Sequence, residues 1–204
     1  MLAAGLLATT PTGAAAGGRA DFRKERASAD ARHVGNWVMH SGDNRGLPFV
    51  VIDKLDSKVF VFDGQGLLLG AAPALLGLAK GDASTPGIGG RAMASIRPDE
   101  RTTPAGRFEA SMERSIQGDQ ILWVDYDASI ALHRVIATVP AERRLQRLQS
   151  RTPSDHRITY GCINVPVRFF ETVVIPAFNA TPGVVYVLPE TRTPREVFGS
   201  YDVP

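Results

Sequence analysis

The sequence predicts a mainly-β domain, a bent sheet or sandwich, with two short helices. Short apolar runs of strand length occur at residues 47–53 and 58–62. The polar residues 54–57 separate these runs, as expected for the turn of a hairpin. Helical patterns follow Pro140 and Pro166, and proline favours the first turn of a helix.

The remaining elements can be assigned in chain order. Residues 17–46 are polar and predict a loop. Apolar runs continue to residue 78 as a meander, in which residues 52–62 form a hairpin. Residues 81–107 are rich in Gly, Pro, Ser and Thr, and such long irregular segments usually have a function. The remaining strands are predicted at residues 107–112, 120–126, 129–136, 158–165 and 183–188, and the helices at 140–149 and 166–178, with Pro176 ending or kinking the second helix.

Length and composition suit one folded domain with a full hydrophobic core. The chain has 204 residues, of which 44% are hydrophobic and 22% charged. No repeat and no change in composition suggests a second domain. We therefore divide the chain into a signal peptide (1–17), an N-terminal extension (18–46), one domain (47–190) and a C-terminal tail (191–204).

The first residues predict export. Leu2, Leu6 and Leu7 form a short apolar core, and Ala14-Ala15-Ala16 resembles a cleavage site, which is typical of the back part of a signal peptide. A flexible Ala/Gly-rich tail is the alternative. No later stretch is apolar enough to span a bilayer. A net charge of +2 does not indicate nucleic-acid binding and is compatible with an anionic polymer such as a cell wall.

Cys162 is the single cysteine of the chain, so it cannot form an internal disulfide. A lone thiol in an exported protein is either used or buried, and an inert buried cysteine is the alternative to a nucleophile. Gly161 before it would let a substrate carbonyl approach the backbone, and N–H groups of a tight turn can hold an oxyanion. The helix after Pro166 would favour the thiolate if its N-terminus lay near the sulfur.

A nucleophilic thiol needs a base, and four histidines are available. His133 lies in the alternating strand pattern of residues 129–136, which would aim its ring rigidly. A structural histidine bonded to a backbone carbonyl is the alternative. His156 lies in a polar loop and is expected to be solvated, and neither His33 nor His40 has a supporting pattern.

Three segments, in order, resemble the L,D-transpeptidase catalytic domain of the YkuD type. Residues 159–164 (TYGCIN) resemble the signature in which Ser or Thr and usually His precede Gly-Cys, an apolar residue, and Arg or Asn. Residues 103–108 (TPAGRF) resemble the family segment Thr-Pro-x-Gly-x-Phe. Residues 130–133 (IALH) resemble the strand that carries the catalytic histidine.

The resemblance implies a β-sandwich-like fold with cysteine and histidine facing one groove, and neither metal nor cofactor. Cys162 would be the nucleophile and His133 the general base. Cys162 would attack the carbonyl of the third residue of a peptidoglycan stem peptide and release the terminal D-Ala. The acyl group would then pass to an amine of another stem peptide. The other implied roles are oxyanion or positioning contacts for Gly161, Tyr160 and Arg134, and substrate binding for Thr159 and Asn164.

Several alternatives stay open. With water as the acceptor the protein would be an L,D-carboxypeptidase, and with a dead site it would be a wall-binding module. A papain-like or amidase-like hydrolase fits less well, because those enzymes place the cysteine before the histidine. We expect a monomer that works outside the cytoplasm, periplasmic or wall-associated, on stem peptides.

The sequence departs from the family pattern at four places. Tyr160 replaces a common His, Arg134 a common Gly or Ser, and Asn164 a common Arg. Residues 141–157 form an insertion that we expect to fold over the groove. Its arginines either meet substrate carboxylates or form a solvated helix face, and they are Arg143, Arg144, Arg147 and Arg151.

Overall fold

The structure is a computed structural model that describes residues 18–204. The predicted signal peptide lies outside the described residues. The predicted fold class is confirmed, because the described chain is mainly β-sheet with short helices. The division into an extension, a domain and a tail stays a prediction.

The strands are β1 (Phe49–Asp53), β2 (Lys58–Phe62), β3 (Leu68–Pro73), β4 (Leu76–Gly77), β5 (Gly106–Arg114), β6 (Gln120–Asp125), β7 (Ile130–Arg134), β8 (Arg157–Thr159), β9 (Ile163–Val165) and β10 (Gly183–Val187). The α-helices are α1 (Ala29–Ser41), α2 (Arg144–Gln149), α3 (Val167–Phe169), α4 (Ile175–Phe178) and α5 (Pro194–Phe198). A π-helical turn, Phe170–Val174, joins α3 to α4. Short 3₁₀ turns occur at Ile88–Gly90, Met93–Ser95, Pro98–Glu100, Pro140–Glu142 and Pro153–His156.

Eight strands form one mixed sheet in the order β3-β2-β1-β10-β5-β6-β7-β9. The predicted hairpin is confirmed as the antiparallel pair β1–β2. Two pairs, β1–β10 and β7–β9, are parallel. One hydrophobic core takes residues from β1, β2 and β10 as well as from β6, β7 and β9. The sheet therefore folds over this core, and its two halves enclose the core as the layers of a sandwich do.

A continuous helical segment, residues 167–178, covers the main core. Its buried side chains include Phe170, Val174 and Phe178. Of the two predicted effects of Pro176, an end of the helix is wrong, because the helical run continues to Phe178. Pro176 stands in the first turn of α4, directly after the π-helical turn, where its missing N–H costs little.

Helix α1 corrects the predicted loop at residues 17–46. Ser28 caps the helix by accepting a hydrogen bond of 3.0 Å from the N–H of Ala31. Gly42 ends the helix in the left-handed conformation, with φ of 69°. Val34 and Trp37 are buried with the outer face of β1, β2 and β10 in a second core. The prediction failed because the apolar residues of α1 are few and become a stripe only at helical spacing.

A buried ion cluster connects the irregular segment to the sheet. The ammonium group of Lys54, fully buried, donates hydrogen bonds of 2.9 Å to Asp82 and 3.0 Å to the carbonyl of Thr103. Glu190 lies 3.6 Å from the same group and accepts a hydrogen bond of 2.7 Å from Arg157. This cluster fixes the backbone at Thr103, which contacts the turn described below.

The C-terminal segment packs on α1. Phe198 of α5 stacks on Trp37 with ring centroids 6.3 Å apart, and Val203 packs against the same core. Across residues 18–204, we find no helix with both the length and the apolar character that crossing a membrane requires.

The docking of α1 yields a stability prediction. Trp37 is 6% exposed and also contacts the ring of Tyr186, so Trp37→Ala is expected to lower the free energy of unfolding by about 3–5 kcal/mol. Urea denaturation followed by circular dichroism measures this. Leu55→Ala is the control, because Leu55 is 54% exposed and its loss should change stability by at most about 0.5 kcal/mol. Equal effects of the two changes would mean that α1 does not pack as described.

Candidate active site

Cys162 lies in a tight turn between β8 and β9, where the sequence predicted an unbroken strand. Gly161 adopts φ of 134°, which L side chains rarely adopt. A Cβ there would lie 2.5 Å from Cδ1 of Ile130 and 2.8 Å from the carbonyl oxygen of Thr102. Gly161 is therefore required by the backbone conformation and by close packing on the protein. The predicted reason, space for a substrate carbonyl, is wrong.

Two buried threonine hydroxyls hold this turn. The hydroxyl of Thr159 donates 2.7 Å to the carbonyl of Cys162 and accepts 3.1 Å from the N–H of Gly161. The hydroxyl of Thr103 donates 2.7 Å to the carbonyl of Gly161 and accepts 2.9 Å from the N–H of Gly77. Thr159 is thus a positioning residue and not the predicted substrate contact. The N–H of Gly161 is likewise used within the turn, which removes it as an oxyanion donor.

The parallel pair β7–β9 places Cys162 and His133 on one face of the sheet. In its register, Leu132 lies opposite Ile163 and His133 opposite Asn164. Leu132 and Ile163 point into the main core. Because side chains alternate along a strand, His133 and Asn164 point to the other face, and so does Cys162 two residues before Asn164.

Cys162 and His133 line one open groove of about 600 Å³ on this face. Its walls are mostly apolar, and Ile116 and Ile136 on its rim are largely exposed. The other lining residues are Met93, Ser115, Gln117, Asp119, Gln120, Ile121, Trp123, Ser129, Ala131, Arg134 and Val135. The groove combines an apolar wall with a few polar groups, among them one thiol and one imidazole. Binding sites for small substrates are often built from an apolar wall and a few polar groups.

His133 is held at both ring nitrogens. Nδ1 lies 2.8 Å from the carbonyl of Arg134, so it carries the proton and donates it. Nε2 lies 3.1 Å from the amide nitrogen of Asn164, so Nε2 accepts. Burial lowers the pKa of His133, and the positive charges of Arg144 and Arg134 lower it further. The Arg134 hydrogen bond and Asp119 act in the opposite direction and are outweighed. The lowered pKa therefore keeps the imidazole of His133 uncharged near neutral pH.

Arg134 positions His133 through its backbone. Its carbonyl accepts the hydrogen bond from Nδ1 of His133, and its side chain alternates to the other face of β7. There the guanidinium lies 5.9 Å from the ring centre of Phe170. Its loose ion pairs are 3.8 Å to Asp119 and 3.9 Å to Glu171. The guanidinium therefore plays no part in holding the imidazole.

The thiol of Cys162 is neutral at rest. Its sulfur lies 3.8 Å from the carbonyl of Ser129, to which it donates. Burial raises the pKa of the Cys162 thiol, against smaller lowering effects of the Ala131 N–H and the charge of Arg144. The condition under which the helix after Pro166 would favour a thiolate is not met, because β9 separates the sulfur from the helix that begins at Val167. At about 3.3 Å per residue, this strand exceeds the reach of the first helical turn.

Tyr160 does not contribute to the groove. Its ring packs partly buried against the main core, with the guanidinium of Arg101 3.9 Å from the ring centre. Of the two predicted roles of Tyr160, oxyanion or positioning contact, the packing of its ring favours a positioning contact. The ring of Tyr160 connects the turn to the irregular segment through its cation–π contact with Arg101.

The insertion packs beside the groove and does not close over it. Leu148 of α2 packs with Leu75 and Val135 in a small third core on the groove face. Arg144 at the start of α2 donates 2.8 Å to the amide oxygen of Asn164. Arg143 is exposed and lines a separate cavity, so only Arg144 contacts the site directly.

The other histidines are structural. His156 is 3% exposed, and its ring nitrogens lie 3.0 Å from the carbonyl of Ala74 and 3.1 Å from that of Ser150. The expectation of a solvated His156 is therefore wrong. His33 contacts Ser200 and His40 contacts Tyr201, remote from the groove. Within residues 18–204, no cluster of His, Cys, Asp and Glu is arranged to hold a metal ion.

Two positioning contacts escaped the sequence analysis. The first is the hydroxyl of Thr103, for which its place in the segment TPAGRF was the available signal. Arg144 contacts Asn164 across the sheet, and one basic residue among several in a helix gives no signal of its own. The backbone groups of Ser129 and Ala131 that contact the sulfur could not be found, because backbone atoms have no sequence signature.

No family model matches the sequence, and no curated protein matches it. Solved structures with a similar fold include an LD transpeptidase, LdtMt1, in complex with imipenem, at 16% identity and a TM-score of 0.39. An L,D-transpeptidase from Mycobacterium smegmatis is 15% identical, with a TM-score of 0.40. Each match covers 69% of this chain and 58% of the other, so this chain spans less than two thirds of their length. Similarity at this level does not identify an activity.

The charge state of Cys162 yields a prediction for alkylation. Because the pKa of the thiol is raised, the thiolate fraction should grow about tenfold per pH unit across pH 7–9. The rate with iodoacetamide, followed by mass spectrometry, should rise in parallel without levelling. Glutathione is the reference thiol. A rate that stays constant between pH 6 and 8 would demonstrate a thiolate already formed at rest.

The turn yields a second prediction. Thr159→Val keeps the shape of the side chain but leaves the buried N–H of Gly161 unpaired, so the free energy of unfolding should fall by about 1–3 kcal/mol. Thr172→Val is the matched control, since the hydroxyl of Thr172 donates to the carbonyl of Arg168 on the exposed face of the helical segment 167–178. Its effect should stay within about 0.5 kcal/mol. Thermal or urea unfolding measures both, and similar losses would contradict the assignment of Thr159.

Proposed function

We propose that the protein is a peptidoglycan L,D-transpeptidase that transfers an acyl group from a tetrapeptide stem through a thioester on Cys162. The observation that carries the proposal is that Cys162 and His133 line one open groove. The ordered resemblance of residues 103–108, 130–133 and 159–164 to the transpeptidase signature supports the choice of substrate. No metal or cofactor enters this chemistry.

The first half-reaction forms the thioester. His133 takes the proton of the Cys162 thiol on Nε2, and the sulfur attacks the carbonyl carbon of the third stem residue. The bond to the terminal D-Ala breaks, and the nitrogen of the leaving D-Ala takes the proton back from the imidazolium. The Ala131 N–H, which donates to the sulfur, stabilises the negative charge that develops there.

The second half-reaction transfers the acyl group. An amine of another stem attacks the thioester carbonyl while His133 accepts a proton from the amine nitrogen. The carbon–sulfur bond breaks and the proton returns to the sulfur, so Cys162 ends as a thiol. The sum is an exchange of one amide bond for another, with D-Ala released and no oxidant or reductant involved.

The resting charges suit a general base better than a preformed ion pair. Burial keeps the thiol protonated and the imidazole neutral. Nε2 must exchange the N–H of Asn164 for the thiol, and the sulfur must leave the carbonyl of Ser129. Such hydrogen bonds commonly form only when substrate is bound. The order of events we propose is therefore binding, then proton transfer, then attack.

The same resting contacts favour a second candidate, a wall-binding module without activity. In that reading, Asn164 and Ser129 hold the histidine and the cysteine permanently apart. A third outcome, L,D-carboxypeptidase activity, follows if water enters the open groove and takes the thioester. In each case the peptidoglycan stem is the partner and the site of action is outside the cytoplasm, periplasmic or wall-associated, with the protein working as a monomer.

The test is incubation of the purified protein with a disaccharide-tetrapeptide, with products resolved by mass. We expect a cross-linked dimer and free D-Ala, and no product with Cys162→Ala. His133→Ala should lower kcat by about 10²–10⁴-fold, because the general base is lost. His40→Ala is the control, since His40 is remote from the groove and contacts Tyr201.

Each other outcome has a definite meaning. Tripeptide without dimer would assign the carboxypeptidase reaction. Binding of the muropeptide without any product would assign the binding module. Activity that survives Cys162→Ala would exclude the thioester and, with it, the proposed function.

A further inference from the structure

Arg144 enters the site from the insertion rather than from the sheet. Its Nη1 donates 2.8 Å to the amide oxygen of Asn164, and its Nε donates 2.6 Å to Glu142. The side chain is only 16% exposed. Leu148, one turn later, is buried against the groove face and holds α2 there. The guanidinium is therefore fixed at both ends and is not a mobile surface charge.

We propose that Arg144 is a positioning residue of the site, which orients the amide of Asn164 so that Asn164 keeps Nε2 of His133 unprotonated. This inference rests on the proposed function, in which His133 is the base. It extends the site beyond the segments that resemble the transpeptidase signature, because Arg144 belongs to the insertion.

The hydrogen bonds dictate the direction of the effect. A guanidinium can only donate, so it selects the amide orientation in which Oδ1 of Asn164 points to Arg144. Nδ2 then points to His133, and its N–H requires a lone pair on Nε2. The opposite orientation would place the amide N–H groups against the guanidinium and Oδ1 against Nε2. That arrangement favours the imidazolium, which cannot act as a base.

The positive charge of Arg144 favours the uncharged form of His133, as the orientation of the Asn164 amide does. The charged or titratable groups around His133 are Arg144 from α2, Arg134 from its own strand, Asp119 from the turn between β5 and β6, and the thiol of Cys162. Glu142 faces Arg144 rather than the imidazole. The positive charge of Arg144 lowers the pKa of His133. Removing Arg144 would remove both effects, so the pKa of His133 should rise and the acid limb of the rate profile should move to higher pH.

The alternative is that Arg144 only fastens α2 to the sheet. A fastening role would change stability but neither the tautomer of the imidazole nor its titration. Direct observation of the imidazole separates the two. Nitrogen-15 NMR of labelled histidine reports which ring nitrogen carries the proton and the pH at which the ring titrates, and it needs no turnover.

The experiment compares Arg144→Gln, Arg144→Lys and the control Arg143→Gln in the full chain. Arg143 is the neighbouring exposed arginine that lines a different cavity, so it removes the same charge without touching Asn164. We expect Arg144→Gln to raise the titration midpoint of His133 and the acid limb of kcat/KM together by about 0.5–1 pH unit. Arg144→Lys should keep the midpoint near that of the parent, because the charge remains. Arg143→Gln should leave both unchanged.

A further variant, Asn164→Asp, changes the group next to His133 without changing a residue of α2. Asn164→Asp places a carboxylate against Nε2 and should raise the midpoint further than Arg144→Gln does, with kcat reduced near neutral pH while KM changes little. If Arg144→Gln does not fold, Arg144→Lys and Asn164→Asp decide the question. A midpoint and tautomer unchanged in every folded variant would overturn the role of Arg144. Altered NMR titration in a protein without transpeptidase activity would instead contradict the proposed function. It would still support the contacts from Arg144 through Asn164 to His133.

Discussion

The parallel pairing of β7 with β9 is the constraint on which the site depends. Its register sets His133 opposite Asn164, and the alternation of side chains then sends Cys162 to the same face. A shift of one residue would turn His133 into the main core and bring Leu132 into the groove. Burial of Leu132 and Ile163 opposes that shift, so the hydrophobic core and the site geometry are specified together.

The strand register sets the face on which Cys162 lies, and hydrogen bonds from side chains to the backbone hold the turn that carries it. Thr159 and Thr103 satisfy the turn from within, and Lys54 fixes the backbone of Thr103 from the buried ion cluster. These contacts therefore connect the N-terminal hairpin to the turn that carries Cys162. Gly161 is required here because both φ and the space beside Ile130 exclude a side chain.

Burial decides the chemistry of the site more than charge does. It holds the Cys162 thiol protonated against the charge of Arg144, and it holds His133 uncharged together with that charge. In the proposed function, this neutral pair stays unreactive until a bound substrate changes the hydrogen bonds. Local sequence left open whether a helix N-terminus lies near the sulfur, because it could not reveal that a strand lies between the sulfur and that helix.

The sequence by itself determined the fold class, the hairpin of β1 and β2, and the two residue types that a cysteine acyl transfer needs. These follow from local patterns, since apolar runs, turn residues and motif spacing are properties of neighbouring positions. Only the tertiary structure decided that α1 is a helix, that His156 is buried, and that Arg144 contacts Asn164. These features depend on packing between segments that are distant in the sequence. The group that each hydrogen bond or buried face contacts comes from elsewhere in the chain, so local sequence does not reveal it.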